Sequence, residues 1–118
     1  MTEAHDTGRR GEAIALRVAA ERGWQPGRSN VRIGRGEADV VCFRVENGQR
    51  VGLLLEVKAS RGRQVQAERV QRRQQQRLWR MAQTLCDQQD LARIEVAVVL
   101  VTLHENGEHI EWLDLEPF

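Results

Sequence analysis

The apolar residues of this chain recur in two rhythms, and the switches between them mark out seven elements. Ile14, Leu16, Ala19 and Ala20 follow helical spacing and Gly23-Trp24 stops the run, so a helix is expected over about residues 8–22, capped by Asp6 or Thr7. Pro26, Gly27, Gly34 and Gly36 punctuate a loop-rich stretch with room for a short edge strand at Ser29–Ile33. Ala38–Val45 and Arg50–Val57 read as strands, and Asn47-Gly48 between them is a strong two-residue hairpin signal. Helical spacing returns in Val70, Gln74, Leu78, Met81 and Leu85, which predicts a second helix over about Val65–Asp87. Ile94–Leu103 is almost continuously aliphatic, the mark of a central strand buried on both faces, and Asn106-Gly107 turns into a last strand at His109–Leu115. The order α-β-β-β-α-β-β predicts an α/β fold, a mixed sheet flanked by helices.

Composition bounds the function. At 118 residues, one domain is expected, and 41% hydrophobic with 30% charged residues is ordinary for a globular protein. No apolar run approaches the roughly 20 residues that cross a bilayer, and Met1–Asp6 lacks a signal peptide's apolar stretch, so a cytoplasmic protein with no membrane partner is expected. Cys42 and Cys86 are too few for a disulfide framework, and neither they nor His5, His104 and His109 show metal-ligand spacing. That argues against a zinc site and against a cysteine or histidine nucleophile.

The formal net charge of +1 hides a segregation. Residues 61–80 carry seven arginines against Glu68 alone, whereas residues 87–118 carry eight acids against Arg93 alone. Such a basic segment suits an anionic partner, nucleic acid before membrane surface, with Arg69, Arg72, Arg73 and Arg77 as the candidate contacts; a solvated helix face is the alternative reading. Aromatic residues are sparse, which disfavours base-stacking recognition of single strands. Against this arginine background the chain has one lysine, Lys58, two positions after Glu56 at the end of the apolar run Leu53–Leu55. Lysine is a compact charge whose pKa follows its surroundings, so it is not exchangeable with arginine where chemistry is done.

The hairpin sharpens this observation. A two-residue turn makes Glu46 oppose Gln49, and continuing that register sets Asp39 opposite Glu56 and Glu37 opposite Lys58, with Asp39, Glu56 and Lys58 on one face and Val57 on the other. Like charges facing each other destabilise a sheet. A hard divalent cation, Mg²⁺ or Mn²⁺, relieves them directly; Lys58 with nearby arginines would relieve them without a metal. A bulge would separate the pair. Glu12, on a stripe with Leu16 and Ala19, is expected to point toward the core, where an acid needs a partner or a metal. Gln74 is the one polar member of the second helix's stripe. It suits a backbone contact, or the orientation of a water or phosphate. Asp39, Glu56 and Glu12 as metal ligands, with Lys58 and Gln74 beside them, are the equipment for metal-assisted phosphodiester hydrolysis.

Gly36-Glu37-Ala38-Asp39 followed by Glu56-Val57-Lys58 resembles the PD-(D/E)XK motif of the restriction-endonuclease-like superfamily. Within it the chain is most similar to the YraN-type family, through Gly11-Glu12, Asn30, Arg32, Gly36-Glu37, the arginine-rich helix and the closing Phe118. The resemblance covers nearly the whole chain. It implies a restriction-endonuclease-like core, Asp39 and Glu56 as ligands of Mg²⁺ or Mn²⁺, Lys58 as the catalytic lysine and Glu12 as an auxiliary acid. Departures are Ala38 for the motif's proline, Gln74 where a basic residue is common, and Ala59-Ser60 for an expected Thr-Arg. The leading expectation is a metal-dependent nuclease acting on DNA, including branched or structured DNA, and a homodimer follows if two strands are cut. The alternatives are a non-catalytic nucleic-acid-binding or assembly protein on a nuclease-like fold, and a partner-binding protein that uses the acidic C-terminal strand.

Overall fold

The computed structural model describes residues 2–62 and 70–117. In chain order its elements are α1 (Glu3–Glu21), β1 (Arg28–Ile33), β2 (Gly36–Glu46), β3 (Gln49–Arg61), α2 (Arg72–Gln89), β4 (Arg93–His104) and β5 (Gly107–Asp114). The strands form one sheet in the order β1-β2-β3-β4-β5, antiparallel except for the parallel β3–β4 pair. This is the α/β fold and element order that the hydrophobic pattern predicts. Asn47 and Gly48 both take positive φ, 52° and 79°, which suits the right-handed twist of the flanking strands. Glu46 consequently pairs with Gln49, and the expected register runs unbroken to Val40 opposite Leu55.

The parallel β3–β4 pair requires a crossover, and α2 within it lies over one face of the sheet; α1 covers the other. Strand residues therefore meet a helix layer whichever way they point, and Leu53, Leu54 and Leu55 are all fully buried. On the α1 face, Ile14, Ala15 and Ala19 pack on Val40, Leu53, Leu55 and Val99. On the α2 face, Leu78, Met81, Ala82 and Leu85 pack on Val41, Leu54, Val98 and Leu100. Cys42 and Cys86 are free and lie in opposite layers. Among the described residues no helix is long and apolar enough to cross a membrane.

Both helices start elsewhere than expected. Thr2 caps α1, its hydroxyl accepting from the His5 N–H at 3.1 Å, so Asp6 and Thr7 lie inside the helix. Thr7 is buried, donating to Glu3 O at 2.8 Å and accepting from Arg61 Nε at 2.7 Å. The second helix begins at Arg72, after an extended Gln71. Val70 is buried against the α2 layer from outside the helix, so it sits on the stripe without belonging to it. Val65 and Arg69 lie outside the described residues.

Candidate active site

The site begins with a glycine. A Cβ on Gly11 would lie 2.7 Å from Ala59 Cβ and 3.2 Å from Val57 Cγ1, so the missing side chain lets α1 settle directly onto β3. This contact places Glu12 beside the buried stripe of α1 rather than on it: Gly11, Ile14, Ala15 and Ala19 are buried, Glu12 only partly, and Ala20 is exposed. Asn30 Nδ2 donates to Glu12 Oε1 at 3.3 Å. Asn30 itself has φ 56°, a left-handed conformation that asparagine tolerates better than most residues.

Asp39 sits where the sheet's pairing breaks on both sides. Toward β1, the pairs Ser29–Val40 and Val31–Ala38 flank an unpaired Asn30 and Asp39; toward β3, the ladder stops at Val40–Leu55. The inside–outside alternation slips here too, since Val40 packs in the α1 layer while both Val41 and Ala38 pack in the α2 layer. Where the ladder stops, the Val57 N–H would lose its partner, and Asp39 Oδ2 accepts it at 2.7 Å. Asp39 thus meets Glu56 by substituting its side chain for a backbone acceptor. The expected direct backbone pairing of Asp39 with Glu56 and of Glu37 with Lys58 is absent, and Glu37 instead pairs with Arg32 of β1.

Glu56 is 8% exposed, an unusual burial for a carboxylate. Its Oε2 accepts from Gln74 Nε2 at 2.6 Å and from Arg77 NH2 at 3.0 Å. The Asp39 carboxyl lies close to that of Glu56, within reach of a hydrogen bond when one of the two is protonated. Burial, the hydrogen bond with Glu56 and its charge push the Asp39 carboxyl up to about 7, against the Val57 N–H and Arg77, which act the other way. Burial also raises Glu12, opposed by the bond from Asn30 and reinforced by the charges of Asp39 and Glu37. Two carboxyl groups this close, with the pKa of Asp39 raised, suit a hard divalent cation in a proton's place. Mg²⁺ typically takes one or two carboxylates and completes its shell with water and substrate phosphate.

Residues 11–99 match the uncharacterised protein family UPF0102. The chain belongs to that family. It is the YraN family that the motif resembles, and membership makes the chain one of a nuclease-like family. The UPF0102 match takes in Glu12, Asp39, Glu56, Lys58 and Gln74 and all of α2, leaving β5 outside. No curated protein matches the chain.

In this UPF0102 chain the expected site residues come together unequally. Glu56, Gln74 and Arg77 form one hydrogen-bonded group with Asp39 close beside it, whereas Glu12 reaches Asp39 only through its charge and is tied to Asn30. Among the described residues no group of three or more His, Cys, Asp or Glu side chains, Glu12 with Asp39 and Glu56 included, is arranged to hold a metal ion. Lys58 lies on β3 opposite Leu100, on the α2 side with Glu56, partly buried and without an ion pair among the described residues. Arg72 and Arg73 are exposed on the first turn of α2. Arg77, expected among the phosphate contacts, is the ion-pair partner of Glu56. Arg61, part of the basic segment, is bound by Asp6 and Glu3 of α1.

Proposed function

We propose that this protein is a metal-dependent nuclease that hydrolyses phosphodiester bonds of DNA, branched or otherwise structured DNA included. The observation that carries the proposal is the contact between Asp39 and Glu56, two carboxylates brought together at a break in the sheet and buttressed by Gln74 and Arg77. Asp39 and Glu56 are the residues that would hold Mg²⁺ or Mn²⁺. Once bound, such an ion polarises the phosphoryl group and lowers the pKa of water. Lys58, unpaired among the described residues and on the Glu56 side of β3, orients the attacking water or offsets negative charge developing on the phosphoryl oxygens. Gln74 fixes one carboxylate oxygen of Glu56, and the Val57 N–H fixes one of Asp39, so neither carboxylate is free to swing. Glu12, with its raised pKa, is an auxiliary acid at the edge of the site. Arg72, Arg73 and Arg77 at the start of α2 supply phosphate contacts. Cutting both strands of a duplex calls for two such sites, hence a homodimer on the substrate.

A second reading, a nucleic-acid-binding protein without turnover, is favoured by one observation: Glu56 Oε2 already accepts two hydrogen bonds, one of them from a cation. Incubation of purified protein with labelled linear and branched DNA in Mn²⁺ separates the two. The nuclease reading predicts metal-dependent cleavage that Lys58→Ala abolishes while the protein stays folded. Cleavage that survives Asp39→Ala would sink it, and binding without turnover on every substrate would favour the second reading.

A further inference from the structure

A cleft of about 330 Å³ opens beside the carboxylates, between the β1–β2 turn and α2. Arg35 stands on the turn and Arg80 on the helix; both are exposed, and neither guanidinium has an ion-pair or hydrogen-bond partner among the described residues. The floor between them is apolar, formed by Ile33 and Met81. A Cβ on Gly36 would lie 2.7 Å from Met81 Sδ, so a glycine is what allows the turn to seat this close to the helix and keeps the walls facing each other. Arg77 also lines the cleft and donates to Glu56, so one side chain connects the cleft to the carboxylates.

We infer that the phosphodiester backbone of a nucleic acid runs through this cleft, with Arg35 and Arg80 gripping phosphates from opposite walls on one side of the bond to be cut. The proposal rests on the nucleic-acid reading above and assigns it a path. Two arginines lacking protein partners across a narrow apolar floor match a chain of regularly spaced anions joined by sugars, since guanidinium pairs with phosphate bidentately and the sugar faces tolerate an apolar floor. Arg80 is the last arginine of the basic segment 61–80. Arg35 comes from a turn far from it in sequence, and only the fold brings the two walls together.

The test is the salt dependence of binding to a labelled oligonucleotide in EDTA, by fluorescence anisotropy, which excludes cleavage. Each phosphate contact contributes about 0.7 to 0.9 to the slope of log K against log salt, so Arg35→Gln/Arg80→Gln should lower the slope by about 1.4 to 1.8 and weaken binding at least about tenfold. Each single variant should lower it by about half as much, which keeps the test open if the double variant folds poorly. Arg17→Gln, which removes the same charge from the exposed face of α1, should leave the slope unchanged. Wild-type binding with an unaltered slope in the Arg35 and Arg80 variants overturns the path alone. An equal drop in Arg17→Gln reduces the effect to net charge and overturns it too. Displacement of the oligonucleotide by polyglutamate at equal charge concentration would assign the cleft to an acidic protein instead. Absence of any wild-type binding at low salt overturns both the path and the function it rests on.

Discussion

Replacing Asp39 with asparagine removes a charge and keeps an oxygen to accept the Val57 N–H. An aspartate titrates near ~3.9 in an unfolded chain, whereas Asp39 titrates at about 7 in the fold. Between those values the native state keeps a proton that the unfolded state has released, so the group's contribution to stability falls as pH rises from about 4 to about 7 and is constant outside that window. A shift of this size corresponds to ~4 kcal/mol if the group were dry. Asp39 is only partly buried, and solvent screening reduces the figure to ~2 kcal/mol. Urea unfolding in EDTA across this range should therefore show Asp39→Asn gaining on wild type by ~2 kcal/mol between about pH 4 and pH 8, with no further gain above that. A difference that stays constant with pH, or one that narrows as pH rises, would refute the reasoning that burial beside Glu56 holds a proton on Asp39.

Other substitutions test neighbouring steps. Gly11→Ala forces a methyl against Ala59, costing ~1–3 kcal/mol of overpacking against up to ~1 kcal/mol gained in helix propensity, for a net loss of about 1 kcal/mol in urea unfolding. Gly8→Ala on the same helix meets nothing within 4 Å and should stabilise by ~0.5–1 kcal/mol; equal effects at the two positions would remove the close approach of α1 to β3 from the account. Gln74→Ala strips Glu56 of its 2.6 Å donor and should cost ~1.5–3 kcal/mol in metal-free protein near neutral pH, read by the same unfolding curves. Lys58→Ala, at a side chain without an ion pair among the described residues, should change stability by less than ~0.5 kcal/mol while cleavage disappears; a large loss of stability would make Lys58 structural.

What could be read from the sequence followed strong local rules. Asn47-Gly48 fixes both turn and register, because few dipeptides accept positive φ twice in a row, and the uninterrupted aliphatic runs of β3 and β4 mark strands covered on both faces. Helix starts were less legible. Val70 continues the apolar stripe of α2 in sequence yet is buried from outside the helix, and the polar first turn of α1 concealed the true cap at Thr2. In the site, the approach of Asp39 to Glu56 was legible as register, but its means were not: the ladder ends one pair earlier, and the Asp39 side chain takes up the orphaned Val57 N–H instead. The bond from Arg77 to Glu56 spans the crossover from β3 to α2, and an arginine in a basic run carries no signal of such a partner. Gly11 appeared in the sequence only as part of a motif. Its contact with Ala59 supplies the physical reason for it.

The central claim is that Asp39 and Glu56 together receive a divalent cation in place of the proton that burial beside Glu56 favours on Asp39. Calorimetric titration of Mn²⁺ into wild type, Asp39→Asn and Glu56→Gln near neutral pH addresses it without requiring a substrate. The account predicts saturable binding to wild type, accompanied by proton release that fades as pH rises above about 7, and loss of binding in both variants. Equal binding in all three proteins, or none in wild type, would contradict it.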